Sequence, residues 1–70
     1  MSITLTAVYR KVPEGYIGFV EELAGANTQG TTIEETRENL REAVELVIEA
    51  NRAFAREWSA GGEIVREKIA

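Results

Sequence analysis

The sequence predicts an α+β domain of order β-β-β-α-β, a mostly antiparallel sheet with one long helix packed on one face. Three observations predict it. Residues 32–58 carry apolar side chains at helical spacing, with no Gly or Pro among them. Two alternating segments, 3–12 and 16–23, flank the turn signal Pro13-Glu14-Gly15. A third alternating segment, 63–69, follows the break at Gly61-Gly62.

Residues 3–12 place Ile3, Leu5, Ala7 and Tyr9 on one face, with Thr4, Thr6, Val8 and Arg10 on the other. Their β-branched and aromatic content suits a strand. Residues 16–23 make a second strand, with Ile17, Phe19 and Leu23 on one side and Tyr16 and Val20 on the other. Gly18 in its middle marks a bulge or a close backbone approach. Ala24-Gly25 turns the chain, Asn27-Thr28-Gln29 forms a short third strand, and Gly30 relaxes the passage into the helix.

The helix opens on Thr32-Ile33-Glu34-Glu35, which fits a capping box. The Thr32 hydroxyl can accept from the Glu35 N–H while the Glu35 carboxylate reaches back to the Thr32 N–H. Glu34, Glu35 and Glu38 complement the helix dipole. Leu40, Val44, Val47, Phe54 and Trp58 form one apolar stripe, widened by Ala43, Ile48 and Ala55. Asn51 stands on that stripe. Glu34/Arg37, Glu38/Arg41 and Glu49/Arg52 are pairs three residues apart, each worth a few tenths of a kcal/mol at best. After the helix, 63–69 is expected as a fourth strand with Val65 and Ile69 on one face, lying parallel beside the first.

The whole chain, 1–70, is expected to be one domain with no separate DNA-binding segment. So short a chain buries only roughly 60–65% of its unfolded surface, and without Cys it has no disulfide to add. Oligomerisation or a partner chain is then the expected source of further burial. The net charge is −4, and all 12 acids are Glu. That balance disfavours a nucleic-acid surface and suits a basic protein partner. Met1-Ser2-Ile3-Thr4 lacks the features of a signal peptide, no run reaches membrane-spanning length, and a cytoplasmic protein is expected.

Catalysis is not expected. There is no His, Cys or Asp, so the usual general base and nucleophile pairs are missing, only Glu-rich or backbone-oxygen sites are left for a metal, and no metal or cofactor is predicted. Ser2 and Ser59 have no triad partners, and on a strand the adjacent Glu21 and Glu22 would point to opposite faces. Gly25 and Gly30 match no phosphate-loop spacing.

The stretch from Tyr16 through Gly30 into Thr32-Ile33-Glu34-Glu35-Thr36 resembles the HicB family of antitoxins. The residues that carry the resemblance are Tyr16, Phe19, Glu22, Leu23, Gly25, Thr28, Gln29, Gly30, Thr32, Glu34, Glu35 and Glu42-Ala43. It covers roughly residues 3–50. The chain departs from the pattern at Glu21-Glu22, where Pro-Asp is usual, at Ala26, where Cys is frequent, and at Thr31, where an acid is common. The resemblance implies a truncated ribonuclease-H-like body without catalytic acids. It also implies the inhibitory half of a toxin–antitoxin pair whose toxin is HicA-like, a small, basic, RNA-cleaving protein.

Glu14, Glu21 and Glu22 cluster in sequence around the first two turns. They are either a solvated edge or, as the resemblance implies, the toxin-facing acids that steer association. Tyr9, Phe54 and Trp58 are the candidates for an oligomer contact. A helix over 33–58 runs roughly 39 Å, whereas strand 3–12 spans about 33 Å and the sheet is roughly 15–20 Å wide. The last helical turns should therefore overhang, with Phe54 and Trp58 on them. A dimer or tetramer is expected. Two functional classes remain open: an antitoxin-like inhibitor, and a stand-alone homo-oligomeric binding domain with no toxin partner. Neither is expected to bind DNA by itself.

Overall fold

The computed structural model describes residues 3–69. The elements follow as β1 (Ala7–Val12), β2 (Gly15–Val20), β3 (Asn27–Gly30) and α1 (Ile33–Trp58). The three strands form an antiparallel meander in the order β1-β2-β3, and α1 lies across one face, the α+β arrangement that the sequence predicts. Register is continuous through Tyr9, Gly18 and Thr28, so Gly18 marks a close approach and not a bulge.

That approach sets the helix on the sheet. Thr36 is fully buried, and its hydroxyl donates to the Thr32 carbonyl at 2.7 Å. A Cβ on Gly18 would stand 3.1 Å from the Thr36 methyl, and one on Gly30 would stand 2.6 Å from the Thr36 hydroxyl oxygen. The two glycines thus form the seat for the first turn of α1, which is a different role for Gly30 from relaxing a turn. Further along, Leu40 packs with Val20 and Ala26, and Tyr9, Leu23, Val44 and Val47 pack around them.

The cap forms with one change of partner. The Glu35 N–H donates to the Thr32 hydroxyl at 3.1 Å, but the Glu35 carboxylate accepts from the Thr31 hydroxyl at 3.0 Å instead of reaching the Thr32 N–H. Of the three expected ion pairs, Glu38–Arg41 forms at 3.8 Å. Glu49 turns instead to Arg56 at 3.6 Å, and Arg37 places its guanidinium over the Tyr9 ring, 5.8 Å from the centroid.

β2 ends at Val20, three residues before its expected end. The Val20 N–H donates to the Ala26 carbonyl at 3.0 Å, closing a compact loop in which Gly25 takes φ +90°. β1 likewise begins at Ala7 and not at Ile3.

The expected fourth strand is absent. Residues 63–69 carry no regular structure and are exposed. Gly61 and Gly62 both take positive φ and reverse the chain, and the Arg66 guanidinium donates to the Ser59 hydroxyl at 3.0 Å. Residue 66 therefore stands level with the end of α1. The last turns of α1 lie beyond the sheet: Val47 packs over Gly25 at its rim, and the helix continues to Trp58, about 16 Å further. A strand needs a neighbour to pair with, and the segment meets no sheet edge there. The overhang gives the molecule its long axis, 51 Å against 26 and 14 Å. No helix among the described residues is long and apolar enough to cross a membrane.

Candidate interaction surfaces

Among the surfaces of the described residues that leave apolar side chains uncovered, three are candidates for an interaction. The first is the sheet face away from α1. Register puts Val8 opposite Phe19, and Arg10 opposite Ile17 with Gln29 beyond it. Alternation turns this set away from the helix, because Gly18 between Ile17 and Phe19 faces Thr36. Ile17 and Phe19 are exposed as a result. A hollow at one end of this face is lined by Val12, Ile17 and Gln29 and rimmed by Glu14 and Glu35.

The second surface is the overhang of α1. Phe54 is 66% exposed and Trp58 80% exposed, values that leave both outside the core. Asn51 is exposed with them. The stripe is continuous in sequence, but the sheet beneath it stops near Val47.

The third is a groove between β1 and α1. Leu5, Ala7, Tyr9 and Val44 line it, and Arg37 and Arg41 stand over it. It forms because α1 crosses β3 and β2 more closely than β1, and because β1 pairs only with β2 among the described residues. The sequence carried a signal for it: once the Leu40–Val44 face is on the sheet, Arg37 and Arg41 flank that face one turn apart.

The predicted site residues fall on different surfaces. Glu14 lies at the β1–β2 turn, and Glu21 and Glu22 lie at the β2–β3 turn, at opposite ends of β2. They are separated by on the order of 20 Å and do not form one patch. Glu22 is tied down: its carboxylate accepts from the Thr6 N–H at 2.6 Å and the Thr6 hydroxyl at 2.7 Å. Those bonds, the backbone one foremost, hold its carboxyl below the usual carboxylate range. Tyr9 is half-buried against the helix, whereas Phe54 stands 17 residues beyond Arg37, about 25 Å along α1. Tyr9 therefore shares no surface with Phe54 and Trp58. Among the described residues no group of three or more His, Cys, Asp or Glu side chains could hold a metal ion.

The family model described as UPF0150-like matches residues 5–51, which take in the sheet, the cap and the packed part of α1. A relative of similar kind is a UPF0150 protein of Thermotoga maritima, 44% identical over 46 residues. That alignment takes up 63% of this chain and 61% of the relative, so the match spans less than two thirds of the relative's length. No solved structure gives a significant match. Gly18, Gly25, Gly30, Thr32, Thr36 and Leu40, which build the seat, the turn, the cap and the core, all lie within the matched stretch. The chain belongs to the UPF0150-like family.

Proposed function

We propose that this chain is an antitoxin-like interaction protein that neutralises a small, basic, RNA-cleaving toxin of the HicA-like kind by covering its active surface. The observation that carries the reading is the open sheet face. It presents Ile17 and Phe19 uncovered beside an acid-rimmed hollow, on a chain of net charge −4. An inhibitor of this kind needs no chemistry of its own, only an apolar contact and a field of opposite sign to the toxin's RNA-binding surface. The HicB-like motif supports the same reading. Of the candidate acids, Glu14 is the one beside the hollow and Glu21 the one at the opposite end of β2, while Glu22 already binds Thr6.

The test is co-expression with the product of the neighbouring reading frame, followed by pull-down and an RNA-cleavage assay. A complex that suppresses cleavage is expected, with slower association for Glu14→Arg and Glu21→Arg. A basic neighbour that neither binds nor is inhibited overturns the reading. The exposed Phe54 and Trp58 favour self-association as well, and self-association alone, with no toxin, is the second reading. In both, the chain alone gives no sequence-specific, salt-sensitive gel shift with DNA.

A further inference from the structure

We infer that residues 63–69 of one copy lie along the free edge of β1 in a second copy, filling the groove between β1 and α1. The inference rests on the self-association proposed above and names the surface that performs it. Three observations carry it.

The first is the edge itself. β1 is an outer strand among the described residues, so its outward N–H and C=O groups are a template for another strand. The groove beside it measures about 400 Å³, far more than the void one water needs, and Leu5 on its wall is half exposed.

The second is the character of the segment. Alternation divides it into Val65, Glu67 and Ile69 on one side, and Ile64, Arg66 and Lys68 on the other. Arg37 and Arg41 stand over the groove, Arg41 paired with Glu38, and Glu45 is the one acid on its wall, so the groove carries two cations against one anion. Turning Val65 and Ile69 inward brings Glu67 beneath those two cations, whereas the opposite face would bring Arg66 and Lys68 against them. Charge selects the apolar face. Val65 and Ile69 are each more than four-fifths exposed in a single copy, so they are free to dock.

The third is reach. Arg66 is bonded to Ser59, at the end of α1 and about 16 Å beyond the sheet rim. Residues 67–69 extend roughly 10 Å at most. The segment so held falls short of its own groove and projects where the groove of a second copy can meet it. Reciprocal exchange across a two-fold axis satisfies both edges together.

The test is light scattering on the full chain at micromolar concentrations, with circular dichroism to confirm the fold. Wild type is expected to dimerise. Val65→Asp with Ile69→Asp is expected to be monomeric with unchanged helix signal. Glu67→Arg should weaken the dimer about tenfold, and adding Arg41→Glu should restore it. The chain has no Cys, so mixed Leu5→Cys and Val65→Cys chains can be joined by a short bifunctional maleimide. A covalent dimer is expected from that mixture. A Leu5→Cys/Val65→Cys double variant that cross-links only within one chain overturns the inference, as does a monomeric wild type. An assembly that ignores the 65/69 variant but dissociates on Trp58→Ala overturns it while leaving self-association standing.

Discussion

Thr36 and Gly18 fix the distance between helix and sheet: a Cβ on Gly18 would stand 3.1 Å from the Thr36 methyl. Thr36 cannot retreat, because its hydroxyl is bonded to the Thr32 carbonyl within the first turn. Gly30 closes the other side of the seat. The turn that carries the cap is therefore also the turn that docks deepest, and the rest of α1 is aimed from it.

Adding a methyl to the seat should cost stability in a definite order. At Gly18 the new Cβ meets side-chain atoms of Thr36 and Tyr9, and the half-buried Tyr9 ring can give way. At Gly30 it meets the Thr36 hydroxyl oxygen at 2.6 Å and the backbone nitrogen at 2.9 Å, so the helix itself must move. Gly18→Ala should cost about 1 kcal/mol and Gly30→Ala about 2–3 kcal/mol. Thr36→Ser removes the methyl and should recover much of the first loss and little of the second. Urea unfolding at one fixed protein concentration checks all three.

These contacts show what the sequence could and could not carry. Thr32 as cap, the strand alternation and the overhang were legible, because each follows from local spacing. Gly18 announced a close approach but not its partner, since Thr36 lies 18 positions away and only the fold brings them together. The alternation at 63–69 is present in the sequence but does not make a strand within this sheet. Pairing depends on an edge within reach, and Gly61-Gly62 with the long helix removes it. Glu14 and Glu22 looked like neighbours because both flank turns, yet the six residues of β2 hold them at opposite ends.

The cap gives a second test. Thr32→Ala leaves the Glu35 N–H without its side-chain acceptor. The expected loss is about 1 kcal/mol, or about 4–8 °C in melting temperature for a domain of this size. Thr31→Ala removes only an exposed hydroxyl-to-carboxylate bond and should change the melting temperature far less. Equal losses would mean that Thr31 shares the capping role.

The tie between Glu22 and Thr6 predicts a pH dependence. Its carboxyl is lowered from the ordinary Glu value by the Thr6 bonds. The stability it adds is therefore fully present above the pKa of an unfolded Glu, and is lost as pH falls through the lower folded value. Glu22→Gln removes the charge but keeps an acceptor for the Thr6 N–H. Melts from about pH 7 down to about pH 2 should show wild type ahead at neutral pH, with the gap closing at the acid end. A gap that stays constant would assign the effect to shape and not to charge.

Trp58 tests self-association directly. In a single copy it is 80% exposed, and Phe54 is 66% exposed one turn before it. If α1 overhangs into solvent, Trp58→Ala touches no core and should move monomer stability by no more than about 0.5 kcal/mol. If a second subunit covers the overhang, the same change removes an aromatic anchor of the kind that dominates interfaces, at about 2 kcal/mol or more. That difference is roughly a 30-fold rise in dissociation constant, since each 1.4 kcal/mol is tenfold. Sedimentation of wild type and variant across micromolar concentrations separates the cases. The expected outcome is an assembled wild type and a variant whose dissociation moves into the measured range. A wild type monomeric at every concentration refutes self-association, and an assembly indifferent to the substitution removes Trp58 from the contact.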